Sequence, residues 1–267
     1  MIAPEIMGIL NVTPDSFSDG GSFVEEVTIR SQVEQMIADG ADIIDVGGES
    51  TRPFADPVSV EEELRRVILA VTALRKVAPD VPVSIDTTKA EVAEKALAAG
   101  ATMVNDISAL RHDPKMIDVV RAYDGPVIIM HMQGTPDTMQ IKPAYDNVID
   151  EIVAFFREQI EWLVANGIHQ ERIIIDPGIG FGKTLDHNLD ILRNIDVFKR
   201  LGHKVLIGHS RKSFFKSLLN IPLAERDCPT AVVSALCARQ GVDILRVLRV
   251  HDVCKTCYAV GIADALN

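Results

Sequence analysis

The chain has 267 residues, of which 47% are hydrophobic and 24% are charged, and this composition is typical of a globular protein with one sizeable core. Its 38 acidic and 27 basic residues give a net charge of -11, which repels nucleic acid and anionic membranes. The N-terminal residues lack a basic segment with a long apolar core, and no apolar run reaches the roughly 18 to 20 residues of a membrane span. We therefore expect a cytoplasmic protein without nucleic-acid or membrane partners.

Short apolar runs rich in β-branched residues alternate with helical hydrophobic patterns along the chain. Strands are predicted at residues 6–10, 42–46, 82–85, 102–104, 127–130, 173–176, 204–207 and 243–250. Helices are predicted at residues 24–38, 58–77, 89–99, 115–123, 146–165, 186–199, 224–240 and 253–266, with a further short helix opened by Lys212. Ser59 is the expected N-cap of the second helix, and Glu62 would complete a capping box.

These eight strand-helix units follow one another without a linker or a change in composition. Alternation of strand and helix implies parallel pairing with right-handed crossovers. Eight such units in a chain of this length predict a closed (β/α)8 TIM barrel, formed by one domain over residues 1–267, rather than an open sheet. In this fold the C-terminal ends of all strands face one common mouth.

Polar side chains stand at most of the predicted strand ends: Asn11, Asp86, Asn105, His131, Asp176, Ser210, Arg249 and His251. Each alone has a structural explanation, since such residues are common in turns and at helix N-caps. Together they suggest a binding site with two chemistries. The acids and amides suit the donors of a nitrogen heterocycle, whereas Arg52, Lys212, Arg249 and His251 suit a phosphorylated group. For Lys212 the alternative is a solvated basic pair with Arg211.

A glycine-rich loop follows the predicted strand that ends at Asp176. It is not a phosphate-binding P-loop, because Pro177 occupies a position where that motif requires glycine. The alternative to a binding loop is a flexible strand-to-helix turn. His131 is either a core residue or a ligand, since the histidines lack metal-binding spacing. The four cysteines, including the pair Cys254 and Cys257, are expected to be reduced thiols.

Several motifs resemble those of the bacterial dihydropteroate synthase family. The segment M-G-I-L-N-V-T-P-D-S-F-S-D-G-G at 7–21 and D-V-G-G-E-S-T-R-P at 45–53 are the most specific. Shorter matches are S-I-D-T at 84–87, N-D-I at 105–107, M-H-M-Q-G at 130–134, D-P-G-I-G-F-G-K at 176–183, S-R-K-S at 210–213 and R-V-H-D at 249–252. They occur in order over nearly the whole chain.

The resemblance implies a transferase of folate biosynthesis, a sulfonamide target, that condenses 4-aminobenzoate with (7,8-dihydropterin-6-yl)methyl diphosphate. It also implies Mg2+ as cofactor, ligated by Asn11, and a homodimer. The implied pterin ligands are Asp86, Asn105, Asp176 and Lys212, with Met130 on the ring face. The implied pyrophosphate ligands are Arg52, Arg249 and His251, and the implied 4-aminobenzoate site contains Phe17, Thr51, Pro53, Phe181 and Ser210. Arg249, His251, Lys212 and Asp86 are the implied catalytic residues.

An aniline-type nitrogen is a modest nucleophile, so we expect rate enhancement to come from an electrophilic pterin C9 and stabilisation of the departing pyrophosphate. This favours a dissociative, SN1-like path. Because water would intercept the cation, loops 12–23 and 51–57 are expected to act as closing lids.

The sequence departs from the family pattern at strand eight. The run I-L-R-V-L-R-V-H-D contains a near-duplicate, so Arg246 competes with Arg249 for the site. The pairing with His251 favours Arg249, while the three-residue extension could shift the strand register. His209 is polar where a small or apolar residue is expected, and the short chain ends put the dimer packing in doubt.

Two alternative functions remain open from the sequence. A methyltetrahydrofolate:corrinoid methyltransferase would share Asp86, Asn105 and Asp176, but it would not need Arg52 or the motifs at 210–213 and 249–252. The other alternative is a pterin-binding barrel that has lost turnover, which the unusual eighth strand makes conceivable.

Overall fold

The computed structural model describes residues 3–12, 21–50, 57–136, 138–248 and 250–266, without the side chains of residues 21–25, 250 and 251. Eight parallel strands form a closed barrel in sequence order, with the last strand paired to the first. The strands are β1 (Glu5–Asn11), β2 (Ile43–Gly47), β3 (Val83–Asp86), β4 (Met103–Asp106), β5 (Val127–Met130), β6 (Ile173–Asp176), β7 (Lys204–Ile207) and β8 (Ile244–Leu248). The predicted (β/α)8 fold is confirmed.

Helices surround the barrel on its outside. They are α1 (Gly21–Ala38), α2 (Val60–Val77), α3 (Ala90–Ala98), α4 (Met116–Arg121), α5 (Val148–Ala165), α6 (Leu185–Arg193), α7 (Ile195–Lys199), α8 (Phe214–Leu219), α9 (Asp227–Arg239) and α10 (Val250–Ala265). The larger core cluster lies between these helices and the outward faces of the strands. Parallel strands covered in this way are buried on both faces, which explains their continuous apolar runs.

The inside of the barrel is built in layers, because side chains along a strand alternate between its two faces. The lower layer is an apolar floor of Met7, Ile43, Met103, Ile128, Ile174, Leu206 and Ile244, each at most 6% exposed. Two residues further along their strands, the inward positions become polar at Asp45, Asn105, Asp176 and Arg246. The floor therefore supports a polar layer at the mouth of the barrel.

Ser59 is the N-cap of α2, as expected, since its hydroxyl accepts a hydrogen bond from the Glu62 N–H at 3.3 Å. The Glu62 carboxylate binds Arg65 and Arg66 instead of completing the predicted capping box. The helix predicted at 186–199 is divided at Asn194, whose side chain donates to the Asp190 carbonyl at 2.8 Å. Such local side-chain bonds compete with continued helical bonding.

Strand eight is shorter than predicted. β8 ends at Leu248, and α10 begins at Val250, so His251 lies in a helix and not at a strand end. The pairing of Met7 with Arg246 and of Ile9 with Leu248 sets the register of β8 against β1. The near-duplicate segment therefore contributes to the first turn of the helix rather than to a longer strand.

The cysteines and the apolar character of the helices bear on two further expectations from the sequence. The four cysteines are free thiols, of which Cys237 is buried. Within the described ranges, none of the helices has both the length and the apolar character that crossing a bilayer requires.

His209 occupies a buried polar position between the end of β7 and helix α9. Its side chain is 0% exposed, and Nε2 lies 3.0 Å from both the Thr230 carbonyl and the Ser234 hydroxyl. These contacts explain how a polar residue is accommodated where we expected a small or apolar one. Burial lowers the pKa of His209 to about 4, although the Thr230 carbonyl opposes this effect.

We expect His209 to make the protein sensitive to acid. The unfolded chain takes up a proton near pH 6.5 while the buried ring stays neutral, so stability falls as the pH is lowered from about 6.5 towards 4. Between pH 8 and 4.5 the wild type should lose about 2 to 3 kcal/mol more than His209→Gln, which keeps an N–H donor but does not titrate. Urea denaturation of both proteins measures this difference, and equal losses would contradict it.

Candidate active site

Four acidic or amide side chains project into the mouth of the barrel. Asp45, Asp86, Asn105 and Asp176 are 0%, 8%, 4% and 6% exposed, respectively. The Asn105 Nδ2 group lies 3.3 Å from Asp45 Oδ2, which joins the ends of β2 and β4. Such a concentration of buried carboxylates requires partners, because an unpaired buried charge is costly. The mouth is therefore built to receive donors or positive charge.

Arg246 supplies part of that charge from β8. Its Nε donates to Asp45 Oδ2 and its NH2 group donates to Asp86 Oδ2, both at 2.6 Å. Burial acts against the guanidinium charge, but Asp45 and Asp86 more than offset it and raise the pKa of Arg246. Burial raises the pKa of Asp86 to about 7, against the opposing influence of Arg246. Gly208 faces the same space, since a Cβ there would lie 3.8 Å from Asp176 Oδ2.

Asp176 and Lys212 also contribute to the mouth. The Asp176 carboxylate accepts the Gly178 N–H at 2.8 Å, and Lys212 Nζ donates to the Ile179 carbonyl. Burial lowers the pKa of Lys212 to about 8, with Asp176 acting in the opposite direction. Burial likewise raises the pKa of Asp176, and Lys212 opposes this shift. Asp176 thus offers an acceptor to the mouth, and Lys212 offers a donor. Lys212 is therefore part of the site rather than a solvated basic residue.

An apolar wall lies beside these charges. It consists of Ile107, Met130, Met132, Met139 and Phe181, each at most 8% exposed. Lys212 Nζ lies 4.5 Å from the centroid of the Phe181 ring, a favourable cation-π distance. A flat heterocycle could contact this wall while its edge meets the carboxylates.

The glycine-rich loop after β6 packs tightly on the end of β5. A Cβ at Gly178 would lie 2.0 Å from the His131 carbonyl oxygen, and one at Gly182 would lie 2.5 Å from that of Gln133. Both residues have positive φ angles, of 73° and 63°. These glycines are required by close backbone contact and backbone conformation. The loop is therefore a fixed structure and not merely a flexible turn.

His131 is a core residue in this arrangement. Its ring is buried, packs edge-on against Phe155 at 5.0 Å, and places Nδ1 3.1 Å from Lys183 Nζ. Burial, and then the charge of Lys183, lower the pKa of His131 to about 2. Among the described residues, no group of three or more histidine, cysteine or acidic side chains could hold a metal ion.

Asn11 and Ser210 also lie at the mouth. Asn11 ends β1, and a Cβ at Gly47 would lie 3.5 Å from its Oδ1 and 3.8 Å from Asp86 Cβ. The Ser210 hydroxyl accepts the Leu248 N–H and donates to the Asp252 carboxylate, both at 3.1 Å. Ser210 thus connects the end of β8 with α10. Its implied contact with 4-aminobenzoate stays a prediction, as does the metal role of Asn11.

Five of the expected site residues lie outside the described residues: Phe17, Thr51, Arg52, Pro53 and Arg249. His251 belongs to the first turn of α10, and its side chain is not described. Most of the two loops expected to act as lids is also outside the described ranges. The preference for Arg249 over Arg246 therefore stays a prediction, while Arg246 is the arginine that the structure places between Asp45 and Asp86.

The sequence interpretation missed Asp45 and Lys183. Asp45 lies within β2, and we considered only the polar residues at strand ends. The alternation of side chains would have identified it, since Asp45 follows Ile43 by two residues and must share its inward face. Lys183 followed the glycine loop without an assigned role.

A second charged cluster supports the mouth from outside the barrel. Lys89 Nζ lies 2.5 Å from Glu63 Oε2, 2.8 Å from Glu49 Oε2 and 2.8 Å from the Val58 carbonyl. Glu63 is 1% exposed and also accepts the Thr87 hydroxyl at 2.7 Å. Since Thr87 follows Asp86, this cluster connects the end of β3 with both the beginning and the end of the 49–58 segment.

Lys89→Met is expected to lower the free energy of unfolding by about 3 kcal/mol, because it leaves the buried Glu63 carboxylate without its positive partner. The double variant Lys89→Met/Glu63→Gln should recover much of this loss. Urea denaturation at pH 8 measures both values. A loss below about 1 kcal/mol in the single variant would contradict the assigned role.

The chain matches a known protein family over most of its length. The family model described as pterin binding enzyme matches residues 7–248. A dihydropteroate synthase from Synechocystis sp. is 47% identical over 262 residues, which cover 98% of this chain and 89% of the relative.

Solved structures agree with this relationship. The Yersinia pestis dihydropteroate synthase with a sulfonamide drug complex has a TM-score of 0.90 and 42% identity, covering 99% of this chain and 94% of its own. The Xanthomonas albilineans dihydropteroate synthase with 4-aminobenzoic acid has a TM-score of 0.89 and 40% identity, covering 99% and 93%. The chain therefore belongs to the pterin-binding enzyme family and, within it, to the dihydropteroate synthases.

Proposed function

We propose that this chain condenses 4-aminobenzoate with (7,8-dihydropterin-6-yl)methyl diphosphate to give 7,8-dihydropteroate and pyrophosphate. The observation that carries the proposal is the polar layer at the barrel mouth, where buried acids and an amide lie beside an apolar wall. The Xanthomonas albilineans relative with bound 4-aminobenzoic acid supports the choice of second substrate. The Yersinia pestis relative forms a complex with a sulfonamide drug, and we expect a sulfonamide to compete with 4-aminobenzoate in this chain.

In this proposal the pterin ring lies in the polar layer. Asp86, Asn105 and Asp176 would bind its ring donors, and Lys212 would donate to a ring acceptor. Met130 would contact one face of the ring, since it belongs to the apolar wall. Burial strengthens these hydrogen bonds and makes a mismatched heterocycle costly to accept.

The chemical step forms one bond and breaks another. The 4-aminobenzoate nitrogen supplies the electron pair for the new N–C9 bond, pyrophosphate leaves with the electrons of the C9–O bond, and the nitrogen loses a proton. A dissociative, SN1-like order fits an electron-rich pterin and a weak nucleophile. Arg52, Arg249 and His251 are proposed to stabilise the leaving group, while Phe181 and Ser210, with Phe17, Thr51 and Pro53, would line the 4-aminobenzoate position.

Mg2+ is part of this proposal. Asn11 offers one amide oxygen beside Asp86 at the mouth, and the described residues contain no complete metal-binding cluster. This donor set fits a hard cation that arrives with the diphosphate and keeps phosphate oxygens and water as its other ligands. When bound, Mg2+ would neutralise negative charge on the leaving group.

Pyrophosphate release with both substrates and Mg2+ tests the function. We expect equal amounts of pyrophosphate and 7,8-dihydropteroate, with neither formed when 4-aminobenzoate is omitted. Asn11→Ala should raise the Mg2+ concentration needed for half-maximal rate. A protein that binds the pterin without releasing pyrophosphate would be the inactive barrel, and methyl transfer from methyltetrahydrofolate to a corrinoid would indicate the methyltransferase.

We also propose that the enzyme is a cytoplasmic homodimer. Exposed apolar side chains lie four residues apart on each of two adjacent helices: Val232 and Leu236 on α9, and Tyr258 and Ile262 on α10, with exposures of 55% to 69%. Exposed apolar surface of this kind is typical of an interface. Light scattering after gel filtration should give twice the chain mass for the wild type and the chain mass for Leu236→Glu; a monomeric wild type would contradict the dimer.

A further inference from the structure

Lys183 ends the glycine-rich loop, and the proposed reaction does not use it. Its side chain is 4% exposed. Nζ lies 2.9 Å from the Phe181 carbonyl, 3.2 Å from the His131 carbonyl and 3.1 Å from His131 Nδ1. The ammonium group therefore joins the loop after β6 to the residue that follows β5.

The loop closes around this ammonium group. A Cβ at Gly178 would lie 3.3 Å from Lys183 Nζ as well as 2.0 Å from the His131 carbonyl oxygen. Because Gly178 has no side chain, Lys183 Nζ can lie close to its backbone. A phosphate-binding lysine has to extend towards its ligand, whereas this one donates to the Phe181 carbonyl of its own loop and to the His131 carbonyl after β5.

The acceptors around Lys183 are neutral, but its charge also affects Asp176. The two residues meet at Gly178, whose N–H donates to the Asp176 carboxylate and whose Cβ position lies 3.3 Å from Lys183 Nζ. Asp176 and Lys212 act electrostatically on Lys183, and Lys212, Arg246 and Lys183 act on Asp176. The neighbouring His131 is affected by Lys183 and Arg111. Lys212, Arg246 and Lys183 all favour the ionised form of the buried Asp176. Burial lowers the pKa of Lys183 to about 7, while Asp176 opposes that shift.

Phe181, whose carbonyl accepts a hydrogen bond from Lys183, belongs to the candidate site. Phe181 lies in the apolar wall, and its ring contacts Lys212. Since Lys183 binds the Phe181 carbonyl, it restricts where the backbone places this ring. Loss of that bond would move the Phe181 ring relative to Lys212.

We propose that Lys183 is a positioning residue that fixes Phe181 against the end of β5 and adds a buried positive charge facing Asp176, without touching the substrates. This inference rests on the proposed function, because it assigns Phe181 to the 4-aminobenzoate position and Asp176 to the pterin. Two effects should follow separately. The hydrogen bond controls the affinity for 4-aminobenzoate, and the charge controls the protonation of Asp176.

Steady-state kinetics of Lys183→Met and Lys183→Gln test the two effects. Lys183→Met should raise KM for 4-aminobenzoate about tenfold with a smaller change in kcat. It should also move the acidic limb of kcat/KM for the pterin substrate upwards by about half a pH unit. Lys183→Gln keeps a hydrogen-bond donor but not the charge. Its KM for 4-aminobenzoate should therefore lie between those of wild type and Lys183→Met, while its acidic limb should be shifted as in Lys183→Met. Lys204→Met, an exposed lysine on β7, is the matched control and should behave as wild type.

The outcomes distinguish this inference from the proposed function. A wild type that releases no pyrophosphate refutes the proposed function. An active wild type with unchanged KM and pH profile in both Lys183 variants refutes the positioning role. An increase of about tenfold in the pyrophosphate inhibition constant, with KM for 4-aminobenzoate unchanged, would also refute it and identify Lys183 as a phosphate ligand. If Lys183→Met does not fold, the KM for 4-aminobenzoate and the pH dependence of kcat/KM measured on Lys183→Gln test the inference.

Discussion

Asp176→Asn should lower kcat/KM for the pterin substrate by about a thousandfold, because a site built to bind donors strongly rejects a mismatch. The carboxylate offers two acceptor oxygens, one of which already binds the Gly178 N–H. The amide would replace an acceptor with a donor inside a buried site, next to Lys212. Ring donors would then face an N–H group, and the buried charge of Lys212 would lose the favourable influence of the Asp176 carboxylate.

Steady-state kinetics and calorimetric titration with the pterin substrate measure this loss. Asp118→Asn on α4, where the side chain is 64% exposed, is the control and should retain wild-type activity. KM for 4-aminobenzoate at saturating pterin should change much less than pterin affinity. A loss below about tenfold in kcat/KM would show that Asp176 does not bind the ring.

Arg246→Met is expected to reduce both stability and activity. It leaves Asp45 and Asp86 without the guanidinium group that joins them, and loss of one member of a buried charge network costs about 3 to 5 kcal/mol. Arg246 lowers the pKa of Asp86, so its removal should raise that pKa above about 7. The acidic limb of the activity profile should consequently move to higher pH. Activity at pH 7 should fall more than activity at pH 9.

The size of the stability loss in Arg246→Met also depends on pH. A carboxyl group with a raised pKa holds its proton in the folded state when the unfolded chain has released it, so stability falls as the pH rises towards the folded pKa. Arg246→Met should therefore be less stable at pH 8 than at pH 6, relative to wild type. Adding Asp45→Asn should recover part of the loss. Urea denaturation within about 1 kcal/mol of wild type at both pH values would contradict the role of Arg246.

The effects of Arg249→Ala should differ from those of Arg246→Met. We expect Arg249→Ala to reduce turnover strongly while pterin affinity is partly retained, since its proposed partner is the leaving group. Equal loss of turnover and ring affinity would argue against that role. The two arginines can thus be distinguished by binding and turnover measured on the same proteins.

The barrel was predictable because its determinants are local. Strand-length apolar runs alternate with helical patterns, and parallel pairing follows from that alternation. The residues that end strands at the mouth, Asp86, Asn105 and Asp176, followed from the same pattern. The contacts of Arg246 with Asp45 and Asp86 could not be predicted in this way. Arg246 lies 201 residues from Asp45 in the chain, and pairing across the barrel depends on a strand register that no local pattern specifies.

The errors have related physical causes. L-R-V-L-R-V has the composition of a continuous strand, yet the chain enters α10 at Val250, since tertiary packing overrides β-propensity. Polar residues at strand ends also differ in their structural roles. Asp106 accepts the Ser108 and Leu110 N–H groups at 2.7 and 3.1 Å and organises a turn, whereas its neighbour Asn105 faces the mouth. Neighbouring residues on opposite faces of a strand take on different roles.

In this account, residues from separate strands form one pterin-binding surface at the barrel mouth. The most direct test of this claim is a crystal structure of the chain with the pterin diphosphate and Mg2+ bound. We predict ring nitrogen or exocyclic donors within hydrogen-bonding distance of Asp86, Asn105 and Asp176, with Met130 on the ring face. A ring bound elsewhere, with these side chains contacting only protein groups, would contradict the claim.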